Sequence, residues 1–226
     1  MLGLKAGASV LDLAAAQGGL LLDALARSEG RGLGLVANEQ ALLAAREAAA
    51  REGLEGRAEF AIATSADFAT ERRFEAVVAI RPMAPSPVVP ELDAARALAW
   101  LAPGATLLVG EPFFRRAPSR SYRALLGAAA SGLATAGATA RSIVAQGYEL
   151  LCTALLSETE WDAHASLSFR ELLEVAAGCP DERVARELRE LAEARYHAYW
   201  DLGRDTLGFA LHAFRRARGL KVVTRR

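Results

Sequence analysis

Short aliphatic runs separated by longer amphipathic segments dominate the first half of the chain. The runs are typical of buried strands, and they lie at 8–13, 34–37, 58–62, 74–80 and 106–110. The longer segments carry apolar residues at helical spacing, and they lie at 18–28, 38–52 and 91–101. This order of strands and helices predicts an α/β fold with a mostly parallel, doubly wound sheet covered by helices on both faces.

Capping and turn residues define the limits of these elements. Asn38 is typical of a helix N-cap, Glu39 favours the first turn, and Gly53 indicates the end of the same helix. Four prolines crowd residues 82–90, which therefore cannot be regular structure throughout. Pro-Gly at 103–104 predicts a turn just before the fifth strand.

Helical segments replace this alternation after residue 111. We predict a helical hairpin, a strand, two long helices and a last strand, at 118–145, 148–156, 158–177, 181–201 and 206–214. No internal repeat or low-complexity linker divides the sequence, so we expect one domain over residues 1–226 with an inserted helical part.

Composition narrows the function classes. The 27 basic and 27 acidic residues cancel, so no global field favours a nucleic-acid or membrane partner. We expect no signal peptide and no membrane span, because no suitable apolar stretch occurs. The two cysteines, Cys152 and Cys179, lack metal-ligand spacing, and we expect a cytoplasmic protein without a metal site. Cys152 is expected to pack inside a strand.

One stretch combines the features of a nucleotide site. Residues 10–19 (VLDLAAAQGG) predict a buried strand that ends in an acid, a loop of small residues, and the start of a helix. Small side chains let a ligand approach the main chain closely, and the first helical turn offers unpaired N–H groups.

Four further segments carry a resemblance to a known family: 101–109 (LAPGATLLV), 110–115 (GEPFFR), 160–162 (EWD) and 203–211 (GRDTLGFAL). Together with the loop, they resemble the class I S-adenosylmethionine (SAM) dependent methyltransferases, and in particular a widespread bacterial group with G-E-P-[YF]-W and G-R-D-T-L-G motifs. The resemblance implies a Rossmann-like, seven-stranded sheet with an antiparallel last strand. It also implies a nucleotide-binding half at 1–111 and a substrate-side half at 112–226.

The resemblance implies that SAM lies along the loop after the first strand. The family pattern there is acid-x-Gly-x-Gly-x-Gly, and the matching residues are Asp12, Ala14, Ala16 and Gly18. Alanine therefore stands at the first two glycine positions. An added methyl group hinders close approach of a ligand and disfavours positive φ, so this part of the cofactor site is degenerate.

The remaining cofactor residues implied by the resemblance also depart from the family. Val36 stands where an acid usually receives the ribose hydroxyls, although Glu39, three residues later, is an alternative acceptor. Thr64 stands near the adenine position, with Ser65 beside it and Ile80 at the end of the fourth strand. We expect poor SAM affinity if SAM binds in the usual pose.

Substrate-side candidates follow from position and chemistry. Glu111, at the end of the fifth strand, is either an acceptor-orienting group or a loop cap. Arg204 and Asp205 are expected to form an internal ion pair. Four aromatic residues are candidates for an acceptor pocket, although such residues are more often core: Tyr148, Trp161, Tyr196 and Trp200.

These features leave three functions open. The first is methyl transfer from SAM to an unidentified small molecule. The second is a non-catalytic relative that serves as a binding or oligomerisation module, as a homo- or hetero-oligomer. The third is a methyltransferase fold used for another ligand or reaction.

Overall fold

Seven strands form one sheet in the order β3-β2-β1-β4-β5-β7-β6. The structure is a computed structural model that describes residues 3–81, 94–127 and 132–216. The strands are β1 Ser9–Asp12, β2 Arg31–Val36, β3 Ala58–Ile62, β4 Phe74–Ile80, β5 Leu101–Phe114, β6 Tyr148–Leu155 and β7 Leu207–Arg216.

Strands β1 to β5 pair in parallel, and the β5-β7-β6 end of the sheet is antiparallel. Helices flank the sheet, so the predicted Rossmann-like, doubly wound fold is confirmed. The helices are α1 Gly19–Ser28, α2 Glu39–Arg51, α3 Ala94–Trp100, α4 Arg120–Leu126, α5 Ala136–Val144, α6 Glu158–Gly178 and α7 Glu182–His197.

Local side-chain chemistry accounts for several helix starts. The Asn38 side chain accepts a hydrogen bond from the Ala41 N–H at 2.9 Å, which confirms Asn38 as the N-cap of α2. Ser157 and Glu160 form a capping box at the start of α6. Gly53 follows α2 with φ of +67°, as its predicted role in ending the helix requires.

Several boundaries differ from the prediction. β2 begins at Arg31, three residues early, because its residues 31–34 pair with β1 and its residues 32–36 pair with β3. β5 begins at Leu101, where we expected the end of a helix, so Pro103 and Gly104 lie inside the strand, at an irregularity of its register with β4, and not in a turn before it. α7 ends at His197 and continues as a π-helical turn, Ala198–Gly203. The proline-rich residues 82–90 lie outside the described ranges.

The chain divides into two compact units. The larger unit comprises Met1–Glu111, Gly137–Ala154 and Leu211–Arg226, and the smaller unit comprises Pro112–Ala136 and Leu155–Ala210. The larger unit therefore includes two segments, 137–154 and 211–226, that follow the first residue of the smaller unit in the sequence.

Alternate residues of the central strands build two separate apolar clusters in the larger unit. Val77 and Leu35 belong to one cluster, whereas Val78 and Val36 belong to the other. This period of two is expected for strands covered on both faces. Among the described residues no helix is long and apolar enough to cross a membrane.

The structure corrects the expectation for Cys152. Its side chain is exposed, and the thiol is free. The reason is topological, since β6 is the last strand of the sheet and only Tyr148 among its residues is buried.

Candidate functional site

The parallel strands bring their carboxyl ends to one edge of the sheet in the larger unit. Asp12, the last residue of β1, lies opposite Gly34 of β2 and Val78 of β4. Ile80, the last residue of β4, lies opposite Gly110, directly before Glu111. This edge is where open α/β sheets bind their ligands.

Asp12 is an acid in an almost fully buried position, with 2% of its surface exposed. Its Oδ1 accepts a hydrogen bond from the Ala14 N–H at 3.0 Å. Burial raises the pKa of Asp12 to about 6, and the bond from Ala14 opposes that rise. A buried carboxylate is therefore held at the start of the loop at neutral pH.

Main-chain hydrogen bonds fix the loop after β1 to both neighbouring strands. The Leu13 N–H donates to the Val78 carbonyl at 2.9 Å, and the Ala15 N–H donates to the Leu35 carbonyl at 2.9 Å. Ala16 is exposed and adopts φ of +49°. This left-handed conformation costs an alanine about 1–2 kcal/mol. The loop therefore keeps a conformation suited to glycine at a position where the chain has alanine.

Gly18 is required by the geometry of the loop. Its φ is +85°, and a Cβ placed there lies 2.9 Å from Cζ of Phe60. No described side chain caps α1, and Gly19 and Leu20 in its first turn are exposed. The N–H groups of that turn are therefore available to an anionic group.

The end of β2 has a different character. Val36 is 2% exposed and belongs to an apolar cluster that includes Ala15, Leu42 and Phe60. A valine offers no hydrogen bond to ribose hydroxyls. Glu39, the alternative acceptor, is exposed in the first residue of α2, where its negative charge favours the helix N-terminus.

Thr64, the polar residue predicted near adenine, is hydrogen-bonded within the turn that follows β3. The Thr64 hydroxyl donates to Oδ2 of Asp67 at 2.7 Å, and Oγ1 of Thr64 accepts from the Asp67 N–H at 3.3 Å. The hydroxyl therefore stabilises the turn. Ser65 is partly exposed beside it, and Ile80 is partly exposed at the end of β4.

Glu111 has a basic neighbour that sequence reasoning missed. An ion pair of 4.0 Å joins Nη1 of Arg81 to Oε2 of Glu111, and both side chains are largely buried. The Arg81 N–H donates to the Gly110 carbonyl at 2.7 Å, which extends the β4–β5 pairing by one residue. A charged residue directly after a hydrophobic strand was the signal in the sequence for Arg81.

The structure separates the four aromatic candidates. Tyr148 is buried in the core of the larger unit, where its hydroxyl donates to the Ala94 carbonyl at 2.7 Å. Its ring meets Phe214 edge-on with 6.1 Å between centroids. These contacts are those of a core residue. The other three candidates lie in the smaller unit.

Trp161, Tyr196 and Trp200 belong to two groups within the smaller unit. Trp161 is buried between His164 and Phe209, with 5.5 Å between ring centroids in both pairs. Its Nε1 has no hydrogen-bond partner among the residues described. Tyr196 and Trp200 lie 6.0 Å apart at the end of α7 and the π-helical turn, and Tyr196 is exposed.

Asp162 is the centre of a polar cluster in the smaller unit. The Tyr199 hydroxyl donates to its Oδ1 at 2.6 Å, and the Arg204 guanidinium donates to both oxygens. The Arg204 bonds, followed by the Tyr199 bond, hold the pKa of Asp162 below its usual value. The expected Arg204–Asp205 pair is wrong, because Asp205 pairs instead with Arg116 at 3.1 Å.

This cluster joins two segments that the resemblance singled out, 160–162 and 203–211. Asp162 of the first segment and Arg204 of the second form a bidentate ion pair. The two segments are therefore held together as a structural feature of the smaller unit. Within the described ranges, no group of three or more His, Cys, Asp or Glu side chains is placed to hold a metal ion.

Comparison with known proteins places the fold. No family model and no curated protein matches the sequence. A SAM-dependent methyltransferase from Thiobacillus denitrificans, in complex with S-adenosyl-L-homocysteine (SAH), is 23% identical with a TM-score of 0.78, covering 94% of this chain and 86% of that one. A SAM-dependent methyltransferase from Geobacter sulfurreducens, also with SAH, is 20% identical with a TM-score of 0.77, covering 93% and 85%.

A third solved structure, the [4+2]-cyclase SpnF, is 20% identical with a TM-score of 0.74 and covers 96% of this chain and 77% of that one. At these identities the likeness concerns the fold. The chain therefore has the fold of the class I SAM-dependent methyltransferases.

Proposed function

We propose that this protein is a SAM-dependent methyltransferase that acts on an unidentified small molecule. The observation that carries the proposal is the β1–loop–α1 segment, with a buried Asp12, small exposed loop residues and an uncapped helix N-terminus. It forms part of a fold shared with methyltransferases that bind SAH. When bound, SAM supplies a methyl group on a sulfonium sulfur for in-line transfer to a nucleophile.

The loop side of the site fits such a ligand. Three successive alanines at 14–16 give it small side chains, and Ala16 and Gly19 are exposed. The first turn of α1 presents N–H groups and the positive end of the helix dipole, which suit the carboxylate of an amino-acid moiety. Gly18 keeps the loop conformation that exposes these groups.

The ribose side of the site does not fit the family pattern. Val36 lies in an apolar cluster, and the Thr64 hydroxyl is bonded to Asp67. Losing two hydrogen bonds to an ionised acceptor costs about 3 kcal/mol, which corresponds to roughly a hundredfold in Kd. We therefore expect SAM to bind weakly, through the loop and the helix terminus.

Glu111 supplies the polar group for the acceptor molecule. Arg81 lies beside its carboxylate and limits the directions in which it can point. A carboxylate at the carboxyl end of β5 is suited to orient a hydroxyl or amine by accepting its hydrogen. Alignment of the acceptor is the main requirement for an in-line displacement.

Calorimetric titration of SAM and SAH into the purified protein tests the proposal. We expect both ligands to bind, and Leu20→Glu to weaken binding at least fivefold, because it places a negative charge at the α1 N-terminus. Leu20 is exposed, so the variant should fold normally. Leu43→Glu, at an exposed leucine of α2, is the matched control and should bind like the wild type.

If millimolar SAM gave no heat of binding and no change in the melting temperature, the proposal would be wrong. The result would favour the second function, a non-catalytic module, which the apolar setting of Val36 supports. A fold shared with a [4+2]-cyclase also supports a search for another ligand in that case. Mass spectrometry of small molecules extracted from the purified protein would identify it.

A further inference from the structure

Strand β6 presents an open edge with exposed apolar side chains. It is the last strand in the order β5-β7-β6, so within the described part of the chain a neighbouring strand, β7, lies on one side of it only. Every residue from 149 to 155 is exposed, including Leu150 at 43% and Leu151 at 47%. A long, exposed, apolar edge strand readily pairs with another strand.

The opposite edge of the sheet is protected and β6 is not. β3 has five residues, and Glu59, the second of them, pairs with Arg72 at 2.8 Å, so charges lie along that edge. β6 has eight residues and no proline, and its single charged residue is Glu149. That carboxylate is already paired with Arg215 of β7 at 3.0 Å.

We propose that β6 pairs antiparallel with β6 of a second copy of this chain. The outward-facing groups of β6 follow from the hydrogen bond that the Leu156 N–H donates to the Phe209 carbonyl, which points toward β7. Because the direction alternates along a strand, residues 150, 152 and 154 also point their N–H groups toward β7. Leu151 and Thr153 therefore present N–H and C=O groups outward.

A two-fold axis through Cys152 satisfies these outward groups. Leu151 of one copy then exchanges two hydrogen bonds with Thr153 of the other, and Leu150 lies opposite Ala154. No like charges face one another in the central five residues, because none of them is charged. The β6 edge of a second copy is therefore complementary to that of the first. The two-fold symmetry limits the assembly to a dimer.

Sedimentation velocity over a range of protein concentrations tests this pairing. We expect a dimer of two 24.0 kDa chains. We expect Leu151→Lys to raise the dissociation constant of this dimer at least tenfold. Two lysines near the axis repel one another and remove apolar contact. Leu43→Lys, at an α2 leucine that is 53% exposed, is the matched control and should remain dimeric.

Disulfide trapping tests the register without disturbing the apolar surface. The proposed axis makes Cys152 and its copy a non-hydrogen-bonded pair with Cα atoms about 4.5 Å apart, within the range for a disulfide. In a Cys179→Ser background, copper phenanthroline and oxygen should take two electrons from the two thiolates and give a linked dimer. Cys152→Ser should not cross-link, yet should still sediment as a dimer.

Several outcomes would overturn the proposal. They are a monomer at all concentrations, a dimer that Leu151→Lys leaves unchanged, equal weakening by Leu43→Lys, and polydisperse growth beyond a dimer. Dimer formation does not depend on SAM, so a failure of the proposed methyltransferase function would leave this proposal standing.

Discussion

The ends of β1 and β2 lie side by side in the sheet and have opposite characters. The β1 end carries a buried acid, a loop of small residues and a helix N-terminus that no described side chain caps. The β2 end carries a valine inside an apolar cluster and a helix whose N-terminus is capped by Asn38. Both ends lie at the sheet edge to which the proposed function assigns the cofactor.

The contrast between the two strand ends shows that one part of the site is formed by main-chain groups and the other by a side chain. The β1 loop depends on backbone conformation and hydrogen bonds to β2 and β4, so the fold itself maintains it. The β2 position depends on a single side chain, which in this chain is an apolar valine inside a buried cluster. The four predictions that follow test this separation, beginning with the largest expected effect.

Gly18→Ala should damage both the fold and ligand binding. The alanine is strained at φ of +85° and its Cβ meets Phe60, so we expect a loss of about 2–5 kcal/mol in the free energy of unfolding. Urea denaturation measures it. Gly104→Ala is the control, since Gly104 has φ of +77° and open space around its Cβ. Equal losses in the two variants would show that contact with Phe60 has no part.

Val36→Asp should strengthen SAM binding while weakening the fold. The carboxylate restores two hydrogen bonds to the ribose hydroxyls, and we expect Kd to fall by up to a hundredfold, or about 3 kcal/mol. Without ligand, the buried charge should lower the free energy of unfolding. Titration calorimetry and urea denaturation measure the two effects, with Val36→Thr as a control of similar shape. Unchanged affinity would mean that SAM does not contact the β2 end.

Asp12→Asn should stabilise the protein at neutral pH. The pKa of Asp12 is raised from 3.8 to about 6, so its ionised form costs about 3 kcal/mol above pH 6. That cost disappears as the pH falls toward 3.8, because the folded state binds the proton more tightly. The difference between variant and wild type should therefore be largest at pH 7 and small at pH 4.

Urea denaturation from pH 4 to pH 7 measures how the difference in free energy of unfolding between the two proteins changes with pH. Groups that titrate alike in both proteins do not contribute to this difference. Burial lowers the pKa of His212, so its contribution to stability is lost as the pH falls below its usual value of 6.5. This opposite trend is common to both proteins and cancels in the difference. A difference independent of pH would contradict the burial of an ionised Asp12.

Ala16→Gly should have the smallest effect on stability and a selective effect on binding. Glycine removes the strain of an alanine in the left-handed conformation, but its greater flexibility in the unfolded chain offsets part of this effect. We therefore expect the free energy of unfolding to rise by less than about 1 kcal/mol. Closer approach to the main chain should tighten SAM binding. Glu29→Gly is the matched control, because Glu29 has φ of +52° at the other end of α1. It should gain stability without any change in SAM affinity.

Much of the fold was predictable from local patterns. The bounds of β3 and β4 agree with their hydrophobic runs, and the Asn38 cap and the Gly53 end of α2 follow from single residues. The antiparallel last strand required the family resemblance. The π-helical turn at 198–203 was not predictable, because the bond from the Tyr199 hydroxyl to Asp162 joins residues 37 positions apart.

The sequence by itself determined the order of strands and helices and the small-residue loop after β1, because hydrophobic period and turn chemistry act over a few residues. Only the tertiary structure decided that Val36 is buried, that Arg81 lies beside Glu111 and that β6 is exposed. These environments depend on strands and helices that are distant in the chain. The character of the two ends of the site therefore appears only when the sheet is assembled.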